Sequence, residues 1–494
     1  MKIINILFIT MAFLNTYANS FFPTKLYDKN DKIINVKVWF KVGSQNDPEG
    51  KEGICYLTSK TMANGNTLNF KYSEILKKLY PYAAGYDVNV STEMTVFNFS
   101  VHKDNFNKVI NLFTDAIVNP AFDEKDIERI KSNMLTYLES TLLYNNDEEL
   151  GKAVLYNEIF KNTPYAHITQ GFPKSINNIT KQDIVNFYKQ YFNKNNYQVF
   201  ISGDFDEKMY NKIYDLLKKL PDGKKSEYPQ IVYEPIVGNN ALIIEKDANA
   251  TAISVGVNIP IVRGMRDWYA LAIANSYFGE HRNSISHLYQ VIREARGLNY
   301  GDYSYIEHFP NGGSLNMPPQ NVCKRYQLFE IWIRPVPNNT HLFVIKALKY
   351  ELDKLYKNGL TVEQFEKQKK FLKNYINFYA QTNYERLGYK IDDIFYGIKE
   401  GHLNLYQKML DEITYDEVQN AIKKYLNPEN LLFVIITKDG ETLKKELLSN
   451  QFAKITYTSP KPDYILREDE VIGNYNLNFK NIEIRQIQNV YNNK

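Results

Sequence analysis

The stretch "ITKQDIVNFYKQYFNKNNYQVFI", Ile179 to Ile201, is echoed by "ITYDEVQNAIKKYLNPENLLFVI", Ile413 to Ile435. A second echo pairs "FDEKDIERIK" from Phe122 with "LTVEQFEKQK" from Leu360. The offsets, 234 and 238 residues, are reconciled by a four-residue insertion. A repeat this long means two homologous domains, not a solenoid of small units.

Working outward, the strand and helix patterns recur in the same order in each half. "IINVKVWFKVGS" places Ile34, Val36, Val38, Phe40 and Val42 on one face, the pattern of a half-buried strand. "TVFNFSVH" alternates in the same way. "NFNKVINLFTDAIVNP" then changes period, with Phe106, Val109, Ile110, Phe113 and Ile117 as a helical stripe that Pro120 ends. In the second half, "TAISVGVNIP" alternates Ile253, Val255, Val257 and Ile259. "LFEIWIRPV" follows as a strand, and Ile345, Leu348, Leu352 and Leu355 form a stripe. Between the halves lies "LPDGKKSEYPQIVYEPIVGNN", Leu220 to Asn240, whose prolines mark an extended linker. The expected fold is α+β: residues 21–220 and 241–450 as two similar sandwich domains, 221–240 as linker, and 451–494 as a tail with a short strand-like piece and no helical stripe.

A length of 494 residues is too great for one core. Hydrophobic content of 44% and charged content of 23% are those of ordinary globular proteins. A net charge of +4 without a long basic block argues against nucleic acid as a partner. The first residues, "MKIINILFITMAFLNTYANSFF", carry one Lys, a short apolar run and small residues at Ala18 and Ser20. They read as a signal peptide over 1–20, too short in its apolar run to span a membrane. No second segment of spanning length follows, so an exported, periplasmic protein is expected. Cys55 and Cys323 cannot make a disulfide framework; two separate buried thiols are the preferred reading, with a single bridge left open.

Several chemistries fall away on spacing. "GSQNDPEGKE" has six residues between its glycines where a phosphate loop has four, and Glu52 stands in place of the magnesium-binding hydroxyl. Tyr56 and Lys60 share the spacing of a dehydrogenase pair, but no glycine-rich dinucleotide loop precedes them. Neither His-Glu-x-x-His, His-x-x-Glu-His nor Gly-x-Ser-x-Gly occurs, and His281 and His287, six apart, do not share a helical face. What remains is "VIREARGLNYGDYSY", Val291 to Tyr305. Ile285, Leu288, Ile292 and Ala295 make a core stripe, Gly297 stops the helix, Arg293 lies off the stripe and Tyr300 just beyond the stop. One reading is structural: Arg293 complements the helix C-terminus and Tyr300 packs in a sheet. The other has both converge on a peptide carbonyl and its developing oxyanion.

Together, "VWFKVGSQNDPEGKEGICYLTSKTMANGNT", from Val38, and "VIREARGLNYGDYSY" resemble the pitrilysin/insulysin family of zinc metallopeptidases. The chain is most similar to short two-domain exported members related to the mitochondrial processing peptidase subunits, from about Lys32 to Asp463. The resemblance implies half of a clamshell. In catalytic members this first helix carries the inverted His-x-x-Glu-His motif, with histidines on zinc and Glu as general base. Here those positions are Tyr56, Ser59 and Lys60. The family's further Glu ligand falls near "NMLTYLES", where Leu135 to Tyr137 are not acids and Glu139 is offset. The resemblance therefore implies no zinc in this chain. Arg293 and Tyr300, in a "RE-x-R-GL-x-Y" setting, match the family's catalytic and substrate-binding Arg/Tyr pair. It further implies a zinc-bearing homologous partner in a heterodimer acting on peptides or unfolded segments. The alternative is an inert scaffold or peptide-binding protein of the same fold.

Overall fold

The computed structural model describes residues 24–491 apart from 311 and 313, so the signal-peptide reading of residues 1–20 lies outside the described residues. Two sheets organise the chain. The first contains β1 (Lys25–Tyr27), β2 (Ile33–Phe40), β3 (Gly85–Val90), β4 (Thr95–His102) and β5 (Tyr197–Gly203), in the order β1-β5-β2-β4-β3. The second contains β6 (Asn239–Glu245), β7 (Ala250–Ile259), β8 (Asp302–Tyr305), β9 (Gln327–Pro337), β10 (Leu432–Thr437) and β11 (Phe479–Gln486), in the order β11-β6-β10-β7-β9-β8. With β11 set aside, the orders coincide strand for strand. The pairing senses coincide too: β1–β5 and β6–β10 are parallel, and the remaining equivalent pairs are antiparallel. The fold is α+β, with helices on both sheets.

The repeated segments adopt the same local structure for the same reason. Thr180 caps the helix Lys181–Tyr191 by accepting from the Asp183 amide while Asp183 accepts from the Thr180 amide. Thr414 and Glu417 make the same reciprocal pair at the start of Tyr415–Tyr425. Each exchange satisfies two amides that a helix start leaves without partners. Each helix is then followed by the equivalent strand of its sheet, β5 beside β1 or β10 beside β6.

The two domains cross over one another. The helix Asp147–Ile159, from the first half, lies on β7, β9 and β10 of the second sheet. Gly151 makes this approach possible, because a Cβ there would meet Ser254 Oγ at 2.8 Å. Reciprocally, the helix Asn383–Tyr396 lies on β2 and β5 of the first sheet, where Leu387, Ile391 and Ile394 pack with Trp39, Val96 and Phe200. This corrects the half-buried reading of β2: every residue after Ile33 is buried. Lys37, on the face expected to be wet, donates to Asn98 (2.9 Å) and lies 3.6 Å over the Tyr384 ring. Between the domains Arg325 donates to Glu93 (2.6 Å), to Gln45 (3.3 Å) and to the Pro229 carbonyl in the linker (2.8 Å). Cys55 and Cys323 are both buried and unbridged.

The C-terminal segment has the expected strand but departs from expectation in carrying a helix. Residues 451–494 contain the helix Asp463–Gly473 as well as β11, which extends the second sheet beyond β6. The helix presents Ile465 and Ile472 to the core and is anchored by Arg296, which bonds Glu468 and Asp469 at 2.8 Å each. Its apolar stripe is sparse because buried ion pairs hold much of it, which hides it from a periodicity reading.

Candidate functional site

The helix Ile54–Asn64 begins at Gly53, whose φ of +98° belongs to the left-handed region. Asp47 accepts from the Gly53 amide (2.7 Å) and the Cys55 amide (3.0 Å), fixing the helix start. Tyr56 and Lys60 lie one turn apart on one face and line a cavity of about 300 Å³. Ser59 does not join them: it is fully buried and its hydroxyl donates to the Cys55 carbonyl at 2.7 Å. Lys60 Nζ donates to the Val88 carbonyl of the edge strand β3 at 2.8 Å and sits 5.5 Å from the Tyr56 ring. Burial lowers the Lys60 pKa and raises that of the Tyr56 phenol. Tyr137 lines the same cavity, at the start of the π-helical segment Tyr137–Leu142, whereas Glu139 is exposed.

These residues do not fit zinc. An ammonium already bonded to a carbonyl, a neutral phenol and a hydroxyl turned into its own helix offer no ligand set. Among the described residues, no group of three His, Cys, Asp or Glu side chains could hold a metal ion.

Arg293 and Tyr300 are brought together elsewhere. Arg293 belongs to the π-helical segment Tyr289–Glu294, and its guanidinium lies between two aromatic rings, 4.5 Å from Tyr289 and 4.6 Å from Tyr300. Gly297, at φ +70°, lets the chain reverse: its amide donates to the Arg293 carbonyl at 2.6 Å. The reversal returns Tyr300 beside Arg293, just before β8. Tyr300 is 69% exposed, so it does not pack inside a sheet. The expected core stripe is corrected in part. Leu288 and Ile292 are fully buried, but Ile285 is 63% exposed, because it lies in the turn that precedes the helical residues. Neither Arg293 nor Tyr300 lines the cavity beneath Tyr56 and Lys60. A chain of contacts nevertheless leads there: Arg334 lies 5.6 Å from the Tyr300 ring and pairs with Glu148 (3.3 Å), which accepts from Lys152 (3.0 Å) on the cavity wall.

The opposite cavity wall was missed in the sequence. His308 and Phe309, Lys324, and Glu330 with Trp332 on β9 all line it, as does Tyr156 from the crossing helix. Glu330 carried one legible signal, a carboxylate inside the apolar run "LFEIWI" of a central strand. The loop "FPNGGSLNMPPQNV" supplies Phe309, Pro310 and Val322 to the wall.

Comparison with known proteins agrees with the geometry. Residues 25–171 match the family described as Insulinase (Peptidase family M16), and residues 178–372 match the Peptidase M16 inactive domain. An uncharacterized zinc protease of Rickettsia bellii is 25% identical over 289 residues, covering 58% of this chain and 68% of the relative. A Helicobacter pylori protein named non-peptidase homolog YmxG is 24% identical over 408 residues, covering 81% and 87%. Among solved structures, a peptidase M16 inactive domain from Pseudomonas fluorescens superposes with a TM-score of 0.73 at 21% identity, covering 83% of this chain and 94% of that one. The periplasmic protease PqqL of Escherichia coli superposes with a TM-score of 0.64 at 14% identity; the match covers 92% of this chain but 49% of PqqL.

Proposed function

We propose that this chain, which belongs to the M16 insulinase family of peptidases, is the non-zinc subunit of an exported two-chain zinc peptidase. The observation that carries this reading is the contrast between its two sites. The zinc-motif helix offers no ligands, while Arg293 is held between two rings beside an exposed Tyr300. A pair so presented suits a reacting centre supplied by another chain. The match of 92% of this chain to 49% of PqqL supports a two-chain assembly, in which a homologous partner completes the clamshell. PqqL is a periplasmic protease, which agrees with export, and among the described residues no helix is long and apolar enough to cross a membrane.

The partner's zinc would activate the attacking water. This chain's residues act on the other side of the scissile bond. Arg293 donates N–H groups to the substrate carbonyl and keeps the peptide in register. The Tyr300 hydroxyl donates to the oxygen as it gains negative charge, a hydrogen bond stronger in the transition state than in the ground state. Stacking lowers the entropy lost when the guanidinium engages, because its plane is already set. Substrates are peptides or unfolded segments, bound in part by adding a strand to an exposed sheet edge.

The test is purification of the complex through a tag on this chain from its own cell envelope, followed by intact mass and zinc content. A co-purifying chain of similar size bearing His-x-x-Glu-His and zinc is expected. In that complex Tyr300→Phe should lower turnover about 100- to 1,000-fold with assembly unchanged. Normal turnover would remove Tyr300 from the mechanism. A second reading, an inert scaffold, is favoured by the matches to an inactive domain and to a non-peptidase homolog. A lone chain or zinc-free homodimer would select it.

A further inference from the structure

The cavity between the domains holds charges that the fold leaves unanswered. Glu330 is fully buried in β9, and neither of its carboxylate oxygens has a hydrogen-bond partner. Lys324 is 5% exposed; among the described residues its ammonium makes no hydrogen bond and no ion pair, resting instead 4.1 Å over the Tyr156 ring. Both line the same cavity of about 300 Å³. Around them the Tyr156 hydroxyl and His308 Nδ1 are likewise buried and unpartnered, and the Trp332 indole, which steadies the Glu330 carboxylate, falls short of hydrogen-bond geometry with it. Elsewhere this protein pairs its buried charges. Glu93 meets Arg325, Lys246 meets Asp147, Lys349 meets Asp353, and Lys346 donates to two backbone carbonyls. An unpaired acid and an unpaired base facing one space are the exception, and a buried charge without a partner is costly.

We propose that this cavity binds a small zwitterion of amino-acid to dipeptide size, its ammonium held by Glu330 and its carboxylate by Lys324. Both signs are needed: a simple anion would leave Glu330 unanswered, and a diamine would leave Lys324. Phe309, Val90 and Leu142 give an apolar body somewhere to lie, since the Trp332 ring already carries Lys152 Nζ at 3.4 Å. The volume lies at the small end of ligand pockets. Tyr156 and His308 supply further polar contacts for the groups near either charge. Burial shifts both charged groups toward neutrality, bringing Glu330 up and Lys324 down to about 7, so each can take its charged form when the opposite charge arrives. This site goes beyond the paired-peptidase reading and does not rest on it, because every group comes from this chain.

The experiment is calorimetric titration of the isolated full chain with the dipeptide Ala-Phe, and in parallel with free phenylalanine, N-acetyl-Ala-Phe and Ala-Phe amide. Saturable binding of Ala-Phe or phenylalanine is expected, and which of the two binds sets the length of the occupant. Each capped form should bind at least about tenfold more weakly, the loss of one charge-assisted hydrogen bond. Glu330→Gln should abolish the preference for a free over an acetylated amine, and Lys324→Met the preference for a free over an amidated carboxyl. No saturable binding of either uncapped probe at millimolar concentration would overturn the proposal and leave a water-filled cavity. Equal binding of capped and uncapped forms would overturn it as well. The capped-probe comparison uses the unmodified protein, so it decides the matter even if a variant fails to fold. A normal Tyr300→Phe complex would leave this result untouched.

Discussion

In the first domain, the side chains at the zinc-motif positions are tied into their own fold. Lys60 is bonded to an edge-strand carbonyl, Ser59 to its own helix, and Tyr56 faces a cavity walled by the second domain. In the second domain, Arg293 and Tyr300 are held by each other and by Tyr289, and Tyr300 faces outward. Both domains share one strand order. The difference teaches that a scaffold preserves its sheet independently of its sites. One site is absorbed into packing, and the other presents an exposed phenol beside a guanidinium whose ion pair among the described residues is the loose one to Glu294, 3.8 Å.

The comparison can be pressed hardest where the domains join. Arg325→Ala would take the counter-charge from Glu93, which is fully buried and would keep only its hydrogen bonds from Tyr165, Gln45 and the residue-325 amide. Burial outweighs the arginine and holds the Glu93 pKa above its ordinary value even with Arg325 present. Removing one member of such a pair should cost about 3–5 kcal/mol in urea unfolding. A loss below about 1 kcal/mol would mean that the domains are held by helix crossing alone.

Next comes the contrast between sites. In the assembled complex, Tyr56→Phe should change turnover by no more than about twofold, the scale of a substitution away from any reacting atom. Tyr300→Phe should show the large loss given above. Equal effects would erase the distinction between an absorbed and a presented site.

The cavity offers a smaller effect with a definite sign. Burial raises the Glu330 pKa to about 7 from an ordinary 4.5, with the Trp332 indole, Lys152 and Lys324 opposing it. A carboxyl raised in the folded state gives its full contribution below its unfolded pKa. That contribution is lost as pH rises from about 4.5 to about 7. Glu330→Gln removes this loss, so the variant should gain roughly 2–4 kcal/mol relative to the parent between pH 4 and pH 8. Parallel stability curves for the two proteins would show that Glu330 titrates normally.

The smallest effect tests the likeness of the scaffolds. Thr180→Ala and Thr414→Ala each remove one half of an equivalent cap and should each cost about 1 kcal/mol. Costs differing by more than the cap itself is worth would mean that the two repeats rely on tertiary packing to different extents.

The duplication was legible because local signals repeat: Thr180 and Thr414 each precede a capped helix and then a strand, at an offset the chain keeps. That Tyr56, Ser59 and Lys60 stand at the zinc-motif positions was legible because the resemblance marked the positions and the residue types are read directly from the sequence. The second buried face of β2 was not, since Lys37 and Trp39 are covered by a helix more than 340 residues away in the chain. The C-terminal helix was hidden because Glu468 and Asp469 are held by Arg296, a partner no local period reveals.

By itself the sequence determined two homologous α+β domains, a first helix without zinc-binding side chains, and an Arg/Tyr pair around a glycine stop. These follow from period, cap and residue type, which act within a few turns of chain. Only the tertiary structure decided that the domains exchange helices and that Arg293 is clamped between two rings. It alone decided that Glu330 and Lys324 line one cavity without forming an ion pair. The reason is physical: which buried group finds a partner depends on elements brought together from distant parts of the chain, and a buried charge left without one records where the fold keeps space.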